Sequence, residues 1–175
     1  MEKKYYTQDY GDNFIKWLNE ITDEEIKEKY FVFLNVRNPF GRVVSYFQAT
    51  KHHYIPKDIR INDYTLPENR KYFNLFIKEH FLDSNNKIKK IPGNGHLWPS
   101  SIHYEYENGQ PLANFVIKVE NIVEDWKSFC SKTHIPYTPI ENRKLIDYRP
   151  YFTPEQVEIV STFYKRDLEL FNYEF

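Results

Sequence analysis

Apolar residues recur along this chain at two different periods, and the change from one to the other outlines its elements. Phe14, Trp17, Leu18 and Ile21 lie at helical spacing and predict a short amphipathic helix. Thr22 followed by Glu25 is a capping box for a second helix. The run YFVFLNV, Tyr30 to Val36, is rich in aromatic and β-branched residues and predicts a strand covered on both faces, as in a parallel sheet. Asn38-Pro39 ends it, and Pro39 suits the first turn of a helix running to about Thr50. After a polar, irregular stretch from Lys51 to Pro67, Phe73, Phe76, Ile77 and His80 or Phe81 mark another helix.

Asp83 to Gly95 reads as a loop. The segment IHYEYENGQPLANFVIKV then predicts two strands joined around Asn108-Gly109. Beyond Glu120, the spacing of Ile122, Trp126, Phe129 and Cys130 predicts a helix. Thr153, Pro154 and Gln156 supply an N-cap, a proline at the first helical position and a capping-box partner. Val157, Val160, Tyr164, Leu168 and Phe171 carry that helix nearly to the end. Strands mixed with helices give an α/β class, with a parallel sheet flanked by helices.

Composition narrows this picture. The 175 residues form one domain, 1–175, by length. Aromatic residues make up 18% of the chain against only 5 glycines, so the core should be heavily aromatic. A formal net charge of −1 gives no reason to expect a nucleic-acid or anionic-membrane partner, so any basic site must be local. Cys130 is the only cysteine, which leaves no intramolecular disulfide framework. The opening residues have no signal-like apolar core, and no stretch approaches the ~20 apolar residues of a membrane span. A soluble, cytoplasmic protein is the expectation.

Candidate chemistry concentrates in NVRNPFGRVVSYF. Arg37 stands where the first strand ends and a helix begins two residues later. In open α/β sheets ligands bind beyond the carboxyl ends of strands, and a helix N-terminus there offers N–H groups to an anion. A guanidinium matches phosphate oxygens with forked donors. Arg42 and Ser45, three apart, share a helix face and could both meet the same anion. The plainer reading pairs Arg37 and Arg42 with acidic side chains and leaves Ser45 on the surface. No third ligand stands at metal spacing from His52-His53, so no metal site is expected.

"RNPFGRVVSYF" resembles the 3′-phosphate-binding motif of sulfotransferases that use 3′-phosphoadenosine 5′-phosphosulfate (PAPS), most closely the branch that modifies carbohydrate hydroxyls. "GHLWPSS" is similar to that family's His-x-x-Pro stretch near the acceptor. "FVIKVENIVEDW" resembles its strand followed by Glu-Asn-hydrophobic-x-Asp. "ENRKLIDYRPYFTPEQVEIVSTFYKRDLELFNYEF" resembles its C-terminal pattern of Asn, Tyr and a helix ending in Arg-Asp and Phe-x-Tyr. These motifs follow in the family's order from about Tyr30 to Phe175.

The resemblance implies a sulfotransferase-like three-layer α/β/α fold of the P-loop type, PAPS as co-substrate and a carbohydrate or glycoconjugate acceptor. It implies that Arg37 and Ser45 hold the 3′-phosphate, with Arg42 near it. His96 is the candidate general base, since imidazole titrates near neutral pH. A histidine packed on Trp98 and shaping its loop is the alternative. His103 is a weaker candidate, expected in a strand. Glu120 is expected to cap a helix, and Asp125, Asp147 and Asp167 to be structural. Lys87, Lys89 and Lys90 either steer an anionic sugar or form a solvated loop.

One family feature has no counterpart before Arg37: the Pro-Lys-x-Gly-Thr loop whose lysine and backbone embrace the 5′-phosphosulfate. Its absence would also remove an interior strand and leave an open edge beside YFVFLNV. Residues Lys3 to Thr7 supplying a strand, a second copy in a homo-oligomer donating one, or a longer parent protein are three remedies. A degenerate, non-catalytic nucleotide- or glycan-binding relative is therefore the alternative to an active sulfotransferase. A third class, a P-loop kinase, is disfavoured, since no Gly-x-x-x-x-Gly-Lys-Ser/Thr occurs in the sequence.

Overall fold

The computed structural model describes residues 28–59, 63–64, 66–90, 94–104, 110–141 and 145–175, with Glu25 and Ile61. The helix expected over Phe14 to Ile21, the cap at Thr22 and the strand expected around Lys3 to Thr7 lie outside the described residues.

Two strands, β1 (Phe33–Val36) and β2 (Phe115–Lys118), pair in parallel with Phe33 opposite Phe115 and Val36 opposite Lys118. The chain between them must therefore cross over. It does so through α1 (Pro39–Thr50), α2 (Arg70–Phe81) and the short α3 (Ser101–Tyr104). After β2 come α4 (Ile122–Thr133), α5 (Pro154–Phe163) and α6 (Lys165–Phe171). The architecture is α/β, predominantly helical around a small parallel sheet.

Local signals explain most of these elements. Asn38 caps α1 by accepting from the Phe40 N–H at 3.0 Å, and Pro39 opens the helix, as expected. Thr153 and Gln156 complete the expected capping box of α5. The main core joins Phe40, Val43, Val44 and Phe47 of α1 to Phe73, Phe76, Ile77 and Phe81 of α2, and to Phe152, Val160 and Tyr164. It is aromatic, as composition predicted. Phe47 and Phe152 meet Phe73 at centroid distances of 5.1 Å, edge to face. A smaller cluster of Ile117, Phe129 and Cys130 fixes α4 against β2.

Three expectations are corrected. The apolar run is not covered on both faces: Tyr30, Phe31 and Phe33 stand 44–48% exposed, and in β1 only Val36 is buried. An apolar run signals a buried strand only where neighbours exist on both sides. The hairpin around Asn108-Gly109 fails at its first arm, because Ser101–Tyr104 is helical and carries His103 on a helix rather than a strand. Residues 105–109 lie outside the described residues, and the second arm pairs in parallel with β1. The final helix is interrupted at Tyr164, whose backbone (φ −99, ψ 19) leaves the helical range between α5 and α6.

The cause of the α3 correction is a tertiary contact. Asp167 on α6 is 1% exposed, and its two oxygens accept from the Ser100 N–H at 2.7 Å and the Ser101 N–H at 2.8 Å. A carboxylate on the first N–H groups of a helix caps it. Arg42 of α1 closes the network: one nitrogen donates to the Trp98 carbonyl at 2.7 Å, and another bonds Ser100 Oγ and stands 3.9 Å from Asp167. The Tyr164 hydroxyl donates to the Leu97 carbonyl at 2.5 Å. Two helices, α1 and α6, and the residue joining α5 to α6 thus hold the backbone of residues 97–101.

Breaking one side of a buried pair leaves an uncompensated charge. Asp167→Asn or Arg42→Met is therefore expected to destabilise the chain by roughly 3–5 kcal/mol. Urea unfolding should show this as a lowered midpoint at unchanged slope. A loss below about 1 kcal/mol in both variants would place the pair among exposed, inconsequential ones.

A second buried polar group sits on α2. His80 Nε2 lies 3.0 Å from the Tyr54 hydroxyl. The other ring nitrogen, Nδ1, is buried without a hydrogen-bond partner among the described residues. Burial holds the His80 pKa below its ordinary value, with Glu79 opposing and Lys89 adding. A lowered folded-state pKa means that the unfolded chain binds the proton more readily. Stability is then full above the unfolded value of about 6.5 and falls as pH drops through the window below it. His80→Phe should flatten the stability slope between about pH 6.5 and 5. An unchanged slope would show that His80 does not titrate there.

Candidate functional site

Both strands end on the same side, and their carboxyl ends are where the expected anion residues gather. Arg37 follows β1 directly. Its side chain runs along α1: a Cβ built on Gly41 would lie 3.4 Å from Arg37 Nε and 3.4 Å from the ring of Tyr148. Gly41 and Ser45, four apart, share one stripe of α1, and Arg37, just ahead of its first turn, lies against the Gly41 end. Because Gly41 has no side chain, the guanidinium can lie down along that stripe, flanked by Tyr148. This role of Gly41 was not anticipated, although the glycine stood within the quoted motif.

The electrostatics of Arg37 are those of a cation awaiting a partner. It is half-buried and, among the described residues, makes no hydrogen bond or ion pair. Burial pushes its pKa below the ordinary guanidinium value; Glu120 opposes the shift and Arg42 adds to it. Partial desolvation of an unpaired charge is unfavourable, and an incoming anion would relieve it. Ser45 Oγ also has no partner among the described residues and is partly exposed.

The helix N-terminus itself is less open than expected. Asn38 N–H donates to Glu120 Oε1 at 2.8 Å, Phe40 N–H is taken by the Asn38 side chain, and Pro39 has no N–H. The other Glu120 oxygen accepts from the Tyr173 hydroxyl at 2.8 Å. Burial, the bond to Glu120 and that carboxylate's charge together raise the Tyr173 pKa, so the phenol stays a donor. Asn38 Nδ2 donates to the Glu174 carbonyl at 2.9 Å and to Tyr148 Oη at 3.1 Å. The N–H groups of Asn38 and Phe40 are thus taken up within the protein.

The chain end is part of this arrangement. Asn172 adopts a left-handed conformation (φ 52), which asparagine tolerates, and turns residues 173–175 back across the strand ends. Phe175 meets Phe40 edge-on at 4.8 Å and Phe152 at 5.8 Å. Lys118 Nζ donates to the Phe171 carbonyl at 2.5 Å and lies over the Tyr173 ring. Contrary to the expectation from sequence, Glu120 does not cap the helix that follows it; it accepts instead from the Asn38 N–H across the sheet. Tyr148 and Tyr173 carried no signal beyond their places in the motif.

The other candidates separate clearly. His96 lies in a single 3₁₀ turn, Gly95–Leu97, opened by Asn94, whose Oδ1 accepts from the His96 N–H at 2.9 Å. Its imidazole is exposed and stacks on Tyr46, not on Trp98, with centroids 5.5 Å apart and planes at 29°. Tyr46 is the residue after Ser45, so the structure brings His96 beside the anion stripe. Arg42 points away from that stripe, its donors engaged by Trp98, Ser100 and Asp167. His103 faces the same network: burial and Arg42 lower its pKa, and Asp167 raises it.

Asp125 accepts from the Lys118 N–H at 2.7 Å and Asn121 Nδ2 at 2.8 Å, and Asp147 from the Arg149 N–H at 3.2 Å. Lys87 and Lys90 are exposed, while Lys89 donates to the Glu79 carbonyl at 2.5 Å. His52 and His53 stack on each other at 4.0 Å. Among the described residues no three His, Cys, Asp or Glu side chains group as a metal site, and no helix is long and apolar enough to cross a membrane.

No curated protein and no solved structure matches this chain. A family model described as "Sulfotransferase family" matches residues 2–174. That match runs through both strand ends, the Arg37–Ser45 stripe and the returning C-terminus, and the chain belongs to the sulfotransferase family.

Proposed function

We propose that the chain transfers a sulfuryl group from PAPS to a carbohydrate hydroxyl, with Arg37 and Ser45 holding the donor's 3′-phosphate. The observation that carries this reading is Arg37: a half-buried cation with no hydrogen bond or ion pair among the described residues, its Nε beside Gly41 on the helix that carries Ser45. Forked guanidinium donors and one hydroxyl suit a phosphate with several acceptor oxygens. Arg42 contributes positive field from the same helix, and its contacts tie that helix to the loop of His96. The donor supplies the sulfuryl group when bound. The chain's part is to grip the phosphate and to remove the acceptor proton, for which His96 is the base.

Support for His96 is its position and its freedom. Among the described residues neither ring nitrogen is hydrogen-bonded, while its backbone is pinned on both sides. The exposed Lys87 and Lys90 fit an acceptor that carries acidic sugars. The lone, buried Cys130 fits a cytoplasmic setting. The second reading, a non-catalytic relative that binds the nucleotide without transferring from it, draws on the missing Pro-Lys-x-Gly-Thr segment.

Calorimetric titration with adenosine 3′,5′-bisphosphate tests the site. Wild type should bind in the micromolar range, and Arg37→Ala should weaken binding about tenfold or more, as loss of a charge-assisted hydrogen bond implies. Gly41→Leu, which fills the space along the stripe, should do the same. Transfer to a panel of neutral and uronate-containing oligosaccharides then tests the reaction, with His96→Ala expected to lose roughly 10²–10⁴-fold in rate. Failure of folded wild type to bind would remove the nucleotide reading. Tight binding without transfer to any sugar would favour the non-catalytic relative.

A further inference from the structure

The backbone around His96 is fixed by several hydrogen bonds, yet its imidazole, the part that must meet a hydroxyl, is held by none of them. Asn94 caps the turn, Tyr164 holds the Leu97 carbonyl, and Arg42 holds the Trp98 carbonyl. Two side-chain torsions still leave an exposed imidazole several rotamers. Its ring contact is with Tyr46, at a centroid distance of 5.5 Å and an interplanar angle of 29°.

We propose that Tyr46 is the positioning residue for His96, setting its imidazole beside the Ser45 end of the anion stripe while leaving both ring nitrogens open. This rests on His96 being the base of the proposed reaction. Stacking suits the task because it uses the face of the ring and leaves the edge, where the nitrogens lie, free for a substrate. A hydrogen-bonding partner would instead occupy one nitrogen and select a tautomer. The chain order helps: Tyr46 follows Ser45 and is rotated about 100° around the helix, so the imidazole lies next to the phosphate-binding stripe without covering it.

The platform is itself braced. Tyr46 meets Phe76 at 6.0 Å and His80 edge-on at 5.9 Å, both on the buried face of α2. Its carbonyl accepts from Thr50 Oγ1 at 2.9 Å, in the last turn of α1. Burial and then the Glu79 charge raise the Tyr46 pKa, so the ring remains a neutral phenol at working pH. The buried face of α2 thus reaches the exposed imidazole through one aromatic ring.

The test compares Tyr46→Phe with Tyr46→Leu. Phenylalanine keeps the ring face and should hold kcat within about twofold of wild type. Leucine removes the face and should lower kcat about tenfold to a hundredfold, the range expected for a misplaced catalytic group, with KM for the nucleotide unchanged. A readout independent of turnover is the NMR signal of the His96 ring protons, which should lose its ring-current shift in Tyr46→Leu and keep it in Tyr46→Phe. Equal kcat in the leucine variant and wild type, or an unmoved His96 signal, would overturn the positioning role. His96→Ala separates this from failure of the underlying reading: full activity in that variant means His96 is not the base, whatever Tyr46 does.

Discussion

A carboxylate sealed in the core has to find donors for both oxygens, and Asp167 finds them in the backbone of a different segment. The Ser100 and Ser101 N–H groups turn toward it, and Arg42 approaches to balance its charge. Satisfying that one group fixes three things at once. It sets the start of α3, it anchors α1 to α6, and it brings the loop carrying His96 up to the helix carrying Ser45. Desolvation makes a lone buried charge costly and its full pairing geometrically demanding, so the constraint specifies position as much as it stabilises. That it buys specificity here is supported by α3, a helix whose residues alone read as a strand.

A second clasp works at the strand ends by different chemistry. Glu120 leaves the end of β2 and takes the Asn38 N–H after β1, while the Tyr173 hydroxyl takes its remaining oxygen. Asn38 in turn reaches the backbone of Glu174. Three segments far apart in the chain are joined by groups whose hydrogen-bonding capacity is nearly used up. Arg37 sits in the middle of this and takes no part. The contrast is chemical: the neighbouring polar atoms are hydrogen-bonded, while Arg37 is balanced only through space by Glu120.

Helix boundaries were legible wherever the signal was local. Asn38-Pro39 placed the start of α1, and Thr153-Pro154-Gln156 placed the start of α5, because caps act within one turn. The periodicity of Phe73, Phe76 and Ile77 marked α2 for the same reason. What sequence could not carry was set by distant partners. Nothing in SSIHY announces a helix until Asp167 supplies its cap. The run Tyr30 to Val36 could not reveal that its first half would stand exposed, since hydropathy reports what a residue tolerates rather than what lies beside it. At the site, Arg37, Ser45 and His96 were visible as chemical types. Their relation through Gly41 and Tyr46 was not, because an absent side chain and a stacked ring have no motif of their own.

Rigidity and openness are therefore divided along the site in a consistent way. Backbone is fixed by Asp167, Arg42, Glu120 and Tyr164, all of which spend their polar atoms on the chain itself. The side chains left unspent are Arg37, Ser45 and His96. Two of them meet neighbours without being bonded: Arg37 the bare surface of Gly41 and the ring of Tyr148, His96 the ring of Tyr46. Apolar surfaces can aim a polar group without competing for its donors, which hydrogen-bonding neighbours cannot do. A chain rich in Tyr and Phe has such surfaces in supply, and here the aromatic composition serves the site as well as the core.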